Sequence, residues 1–179
     1  MVHHFHYRNG HLHAEDVDLM ALADEIGTPF YCYSSATFRR HVRVMREAFA
    51  GLDTVLAYAM KANSNQAILK LIASEGGGAD VVSLGELERA LRAGIAPERI
   101  VFSGVAKTRA EMVRGLEAGI LCFNIESEPE LERLDKVAGE MGMVAPVSVR
   151  INPDVDARTH AKISTGKSEN KFGIPYQRA

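Results

Sequence analysis

The sequence has 179 residues, of which 46% are hydrophobic and 25% are charged. This length and apolar content allow a globular protein with a sizeable buried core. The 21 Lys and Arg nearly balance the 23 Asp and Glu, which gives a formal net charge of -2. No basic block is dense enough to neutralise a row of phosphates, so nucleic acid is not an expected partner.

Nothing in the sequence indicates a membrane segment. Apolar stretches such as VLAYAM at 55–60 are too short to cross a bilayer, and the first ten residues lack the apolar core of a secretory signal. We therefore expect a cytoplasmic protein without a membrane partner.

The cysteines and histidines predict neither a disulfide nor a metal site. Cys32 and Cys122 lie in apolar, strand-like runs, which is typical of reduced, packed thiols. Five of the seven histidines fall in the first 13 residues, where solvent-exposed hairpin positions are the favoured interpretation over a shared metal.

The amino-terminal segment predicts a hairpin, a helix and a strand. The pair Asn9-Gly10 separates two short strand-like runs, which indicates a two-residue hairpin turn. Apolar residues at helical spacing in EDVDLMALADEIGTP predict a helix that ends at Gly27, and FYCYS at 30–34 reads as a strand. We expect residues 1–35 to form this leading segment and residues 36–179 to form a separate unit.

From residue 36 onward, amphipathic helices alternate with short apolar strands. The stretch ATFRRHVRVMREAFA predicts the first helix, and the strand candidates are TVLAYAM, 79–83, 99–104, 120–126 and 146–152. Two Ser/Thr-x-x-Glu sequences, Thr108 with Glu111 and Ser127 with Glu130, predict capping boxes at helix starts.

This alternation predicts an α/β fold with a parallel sheet covered by helices. Periodicity alone leaves open whether the sheet is doubly wound or closed as a barrel. A (β/α)8 TIM-type barrel needs eight strands and typically about 250 residues. Five strand candidates predict only a partial barrel, so we expect the chain to stop before closure at Ala179.

Chemistry in parallel α/β folds takes place at the carboxyl ends of the strands. The polar residues there are Lys61, Asp80, Ser83, Ser103, Asn124, Glu126, Arg150 and Asn152. Lys61 follows a strand of small and apolar residues, where partial desolvation favours a nucleophilic amine. A solvated loop lysine is the alternative that residue type alone leaves open.

Three segments resemble motifs of the group IV decarboxylases, a family that depends on pyridoxal 5'-phosphate (PLP) and has the alanine-racemase-like fold. YAMKAN at 58–63 resembles the cofactor-lysine motif, ADVVSLGELERAL at 79–91 the second-strand motif, and VSVRINPDVDA at 147–157 the fifth-strand motif. FNIES at 123–127 is similar to the end of the fourth strand. The opening HLHAEDVDLMALADEIGTPFYCYS and ISTGKSENKFGI at 163–174 look most like the diaminopimelate branch.

The resemblance implies a role for particular residues. Lys61 would be the catalytic lysine that carries PLP, and Asp80 and Arg150 would also bind the cofactor. The surroundings of the site would include Glu86, Ser83 and Glu126. The resemblance further implies a chain roughly twice this length, in which the short amino-terminal β segment joins a carboxy-terminal β-domain. It also implies that the whole protein forms a homodimer.

The function implied is decarboxylation of meso-diaminopimelate to L-lysine, with this amino-terminal part inactive alone. Within the same fold, an ornithine or arginine decarboxylase or an alanine racemase stays open. So do a non-catalytic PLP-binding barrel, a fragment that pairs with a second chain, and a phosphate-binding barrel without PLP.

Overall fold

A computed structural model of the chain describes residues 3–152 and 173–178. At its amino terminus, β1 (Phe5–Arg8), β2 (His11–Ala14) and β3 (Val17–Asp18) form an antiparallel sheet in that order. Asn9 and Gly10 connect β1 to β2 with φ of 50° and 82°, the two positive values that a tight hairpin turn requires. The predicted hairpin is therefore confirmed.

The helix predicted to end at Gly27 is also confirmed, as α1 (Leu19–Ile26). The Asp18 carboxylate accepts hydrogen bonds from the N–H groups of Met20 and Ala21, and Gly27 ends the helix with φ of 82°. These caps satisfy donors and acceptors that a helix end leaves unpaired.

The predicted strand at 30–34 is wrong. Residues 30–33 have no regular secondary structure, and Tyr31 is 90% exposed. Among the described residues no neighbouring strand lies beside this stretch, so its backbone has no ladder partner there. Ser34 instead caps α2 (Ser35–Ala48) by accepting a hydrogen bond from Thr37 N–H. The boundary between residues 35 and 36 stays a prediction.

Five parallel strands follow α2, in the order β4-β5-β6-β7-β8 across one sheet. They are β4 (Ala57–Ala59), β5 (Gly78–Val81), β6 (Ile100–Phe102), β7 (Cys122–Ile125) and β8 (Val147–Val149). The connecting helices are α3 (Gln66–Ser74), α4 (Leu84–Arg92), α5 (Arg109–Ala118) and α6 (Glu128–Glu140). The predicted α/β alternation is confirmed.

The hydrophobic core lies between this sheet and its helices. Apolar strand residues meet apolar helix residues there, and the fully buried members are Leu69, Ala79, Val81, Leu87, Ala90, Ile100, Phe102, Met112, Phe123, Ile125 and Leu134. Because side chains alternate along a strand, the intervening residues Asp80 and Asn124 lie on the opposite face. One face of the sheet is thus a packed core, and the other carries polar groups.

Within 3–152 and 173–178 the five-stranded sheet is open, with β4 and β8 at its edges, so these residues form part of a barrel rather than a closed one. The predicted strand at 146–152 is interrupted at Arg150. After it, β9 (Ile151–Asn152) pairs in parallel with β10 (Ile174–Pro175). Single 3-10 turns occur at Met60–Ala62, Pro97–Arg99 and Tyr176–Arg178.

Only one of the two predicted capping boxes forms. Thr108 and Glu111 make the reciprocal bonds at the start of α5. At α6, Ser127 makes no side-chain cap bond, and the Glu130 carboxylate turns inward to the buried ammonium of Lys107, 2.6 Å away. The capping box predicted at Ser127 is therefore wrong: the Glu130 carboxylate serves a buried cation, which needs a counter-charge. None of the described helices is long and apolar enough to span a membrane.

Candidate active site at the carboxyl ends of the strands

A chain of hydrogen bonds crosses three neighbouring strand ends. The Asn124 amide donates to Ser103 Oγ at 2.9 Å, and the Ser103 hydroxyl donates to Asp80 Oδ1 at 2.5 Å. All three side chains are partly exposed. The structure therefore joins three of the residues that the sequence predicted at strand ends.

Lys61 lies at the same end of the sheet, in the 3-10 turn directly after β4. The strand register places Ala59 opposite Asp80, so Lys61 follows two residues beyond that pair. Its side chain is exposed, and the described residues supply no hydrogen bond or ion pair to its ammonium group. The amine is available to a ligand on this side of the sheet.

A second lysine at the strand ends, Lys107, was not singled out from the sequence. Its side chain is 1% exposed, and Nζ lies 2.8 Å from Gly104 O, 2.6 Å from Asn124 O and 2.6 Å from Glu130 Oε1. An ammonium group has three N–H donors, and all three are used. The local sequence GVAKT at 104–108 does not predict that Lys107 is buried and fully hydrogen-bonded, because the acceptors come largely from β7 and α6.

Glu126 and Arg150 form a second polar cluster beside the first. Arg150 Nη1 lies 3.1 and 3.2 Å from the two carboxylate oxygens of Glu126. The Gly173 N–H donates to Glu126 Oε2 at 3.1 Å, and the Glu126 side chain is 3% exposed. The carboxylate thus ties the end of β8 to the residue before β10.

Ser83 and Glu86 act together at the start of α4. Ser83 Oγ accepts a hydrogen bond from Glu86 N–H at 3.3 Å, and the Glu86 carboxylate accepts one from Val82 N–H at 2.8 Å. In the part of the chain that is described, no hydrogen bond joins them to Asp80 or Lys61. They stabilise the turn that leads away from β5.

Cys122 is partly buried in β7. Burial raises the pKa of the Cys122 thiol, which favours its protonated form, as expected for a packed thiol.

Residues 153–157 of the fifth-strand motif and 163–172 of the later motif lie outside the described residues. In the described ranges, His, Cys, Asp and Glu form no cluster of three or more that could hold a metal ion.

The two lysines differ in the chemistry open to them. A nucleophilic amine must be reachable and must be able to give up a proton. Lys107 is enclosed and bonded on every donor, whereas Lys61 is exposed at the carboxyl end of β4. The geometry therefore favours Lys61 for covalent attachment of a carbonyl compound.

Comparisons with a family model and with known proteins agree on one family. Residues 35–179 match the model of the pyridoxal-dependent decarboxylase, pyridoxal binding domain. Diaminopimelate decarboxylase of Vibrio cholerae is 55% identical over 177 residues, and that of Pseudomonas aeruginosa is 53% identical over 175 residues. Each alignment covers 98% of this chain and 42% of the relative, so the chain spans less than half the length of these relatives.

Solved structures agree with the sequence matches. Diaminopimelate decarboxylase of M. jannaschii in co-complex with L-lysine is 40% identical, with a TM-score of 0.89 over 98% of this chain and 42% of that chain. The Helicobacter pylori enzyme complexed with L-lysine is 45% identical, with a TM-score of 0.85 over 90% of this chain and 41% of that one. A lysine/ornithine decarboxylase from Vibrio vulnificus, 20% identical with a TM-score of 0.65, shares the fold.

Proposed function

Because the chain belongs to the pyridoxal-dependent decarboxylase family, we propose that it forms the amino-terminal part of a PLP-dependent carboxy-lyase. The whole protein would convert meso-diaminopimelate to L-lysine, the last step of lysine biosynthesis. The observation that carries the proposal is Lys61, an exposed amine at the carboxyl end of β4 in a chain 55% identical to a diaminopimelate decarboxylase.

The residues present fit PLP. The cofactor requires a lysine amine for attachment and polar groups to orient it. Lys61 supplies an accessible amine, and the Asp80–Ser103–Asn124 chain supplies polar groups at the same end of the sheet. Lys107 does not fit, because its three N–H groups are already donated.

Each residue has a defined task in this proposal. Lys61 would hold the cofactor covalently and, once released by the amine of the substrate, would stand beside the reacting carbon as a proton carrier. Asp80, held by Ser103, and Arg150, held by Glu126, would orient the cofactor. PLP supplies the electron sink that accepts the bonding pair left when carbon dioxide departs.

Diaminopimelate is favoured over the other substrates of the family by degree of similarity. The relatives named diaminopimelate decarboxylase are about half identical to this chain, whereas the lysine/ornithine decarboxylase is 20% identical. An alanine racemase or a non-catalytic PLP-binding barrel would keep Lys61 but would not release carbon dioxide from meso-diaminopimelate.

Location and assembly complete the proposal. We infer that the whole protein is cytoplasmic and, as the family resemblance implies, a homodimer. Light scattering of the purified whole protein measures its mass in solution, and a monomeric mass would refute the homodimer.

The test is to treat the whole protein with PLP and borohydride and to locate the added mass by peptide sequencing. We expect a pyridoxyl group on Lys61 that is lost in Lys61→Ala and retained in Lys70→Ala, which removes another exposed lysine. Carbon dioxide release is then measured with meso-diaminopimelate, ornithine and arginine. A label on any other lysine, or release from ornithine or arginine only, would overturn the proposal.

A further inference from the structure

Lys107 and Glu130 form a buried ion pair next to, but not within, the proposed cofactor site. Their side chains are 1% and 5% exposed, and Nζ lies 2.6 Å from Oε1. Lys107 follows β6, and Glu130 lies in the first turn of α6. The pair therefore joins two successive β/α units.

The pair is a costly way to obtain stability. Removing two charges from water carries a penalty of several kcal/mol per ion, and apolar residues of similar volume often pack as stably. In some proteins a buried polar or ionic group of this kind fixes one geometry rather than strengthening the fold. Its other hydrogen bonds show which geometry it fixes.

One set of bonds leads from Lys107 to the polar chain on the open face. Nζ donates to the backbone carbonyl of Asn124 at 2.6 Å, and the side chain of the same residue donates to Ser103. Ser103 in turn donates to Asp80. The ammonium group thereby holds the segment of β7 that carries Asn124, the first donor of the Asp80–Ser103–Asn124 chain.

A second set leads through Glu130 to the other polar cluster. Glu130 Oε2 accepts a hydrogen bond from the backbone N–H of Glu126 at 3.0 Å. The Glu126 carboxylate then holds Arg150 and the Gly173 N–H. The same ion pair thus orients the residue that positions Arg150.

We propose that Lys107 is a positioning residue: with Glu130 it holds the carboxyl end of β7 in the one placement that presents Asp80 and Arg150 together to the cofactor. The inference rests on the proposed function for the identity of that ligand. Lys107 touches neither cofactor nor substrate and acts through Asn124 and Glu126.

The test compares Lys107→Met and Glu130→Gln with Glu75→Gln in the whole protein. Glu75 is a matched control, since it is also a buried, ion-paired carboxylate but lies at the end of α3, in the turn that leads into β5. In Lys107→Met we expect kcat to fall about 10- to 100-fold at saturating PLP, because small misplacements of catalytic groups have effects of this size. Glu75→Gln should lower thermal stability and leave kcat near the wild-type value.

A second readout needs no cofactor. Amide hydrogen exchange in the PLP-free protein should accelerate in residues 121–127 of Lys107→Met and stay unchanged in residues 57–59. This measurement keeps its meaning even when no pyridoxyl group is found on Lys61, so failure of the proposed function and failure of the positioning role remain distinguishable.

The proposal is overturned when Lys107→Met loses stability but keeps wild-type kcat and wild-type exchange at 121–127. Should Lys107→Met not fold, Glu130→Gln decides. The amide keeps an oxygen for Lys107 but cannot accept with both ends, so exchange at 121–127 should rise and kcat should fall. Wild-type values of both in Glu130→Gln would equally overturn the positioning role.

Discussion

The Ser103 hydroxyl donates a 2.5 Å hydrogen bond to Asp80 Oδ1, linking the ends of β5 and β6 on the open face of the sheet. Asp80→Asn keeps an oxygen that can accept this bond but removes the negative charge. We expect stability in the whole protein to change by less than about 1 kcal/mol, while affinity for PLP falls. Equilibrium titration of absorbance with PLP measures the second effect.

The stability of Asp80→Asn is compared with that of Ser103→Ala. It removes both the donor to Asp80 and the acceptor of Asn124, so the free energy of unfolding should fall by about 1 to 2 kcal/mol. Equal PLP affinity for wild type and Asp80→Asn would show that Asp80 contributes nothing to cofactor binding through its charge.

Two similar capping sequences should respond differently to alanine. Thr108 accepts a hydrogen bond from Glu111 N–H and completes a capping box, so Thr108→Ala should cost about 1 kcal/mol in the free energy of unfolding. Ser127 makes no side-chain cap bond, so Ser127→Ala should cost nearly nothing. Denaturant midpoints of the two variants measure the difference, and equal losses would show that the Ser127 hydroxyl does cap α6.

The buried carboxylate of Glu75 should make stability depend on pH. Hydrogen bonds from Arg43, and then from Arg39, lower its pKa from 4.5 to about 2 in the folded protein. A lowered carboxyl pKa contributes stability that is fully present above pH 4.5 and is lost as the pH falls towards 2.

The measurement is the unfolding midpoint of wild type and Glu75→Gln across this range of pH. The two should differ most near neutral pH and should converge as the solution becomes acidic. Glu132→Gln, at an exposed position of α6, serves as the control. A difference that stays constant down to about pH 2 would contradict the shift.

Two helical glycines should respond in opposite directions to alanine. A Cβ at Gly115 would lie 2.6 Å from Phe123 Cζ, a fully buried ring, so Gly115→Ala should destabilise the protein by about 1 to 3 kcal/mol. Gly139 in α6 has nothing within 4 Å of the same position, so Gly139→Ala should stabilise it by up to about 1 kcal/mol. Thermal unfolding measures both, and stabilisation by Gly115→Ala would show that Phe123 can move aside.

Elements whose signals are local could be predicted without a structure. The hairpin at Asn9-Gly10, the helix ended by Gly27 and the alternation of helices with five strands were all predicted, because turn geometry, capping and apolar periodicity arise within a few residues. The motif around Lys61 likewise identified a family without any structure.

Features whose partners are far apart in the chain become visible only once the chain is folded. The stretch at 30–34 has strand composition, yet a strand needs a neighbour to pair with. Ser127 and Glu130 have the spacing of a capping box, yet Glu130 bonds to a lysine 23 residues earlier. Lys107 reads as an ordinary loop lysine until β7 and α6 enclose it, because burial and counter-charge are properties of packing and not of local sequence.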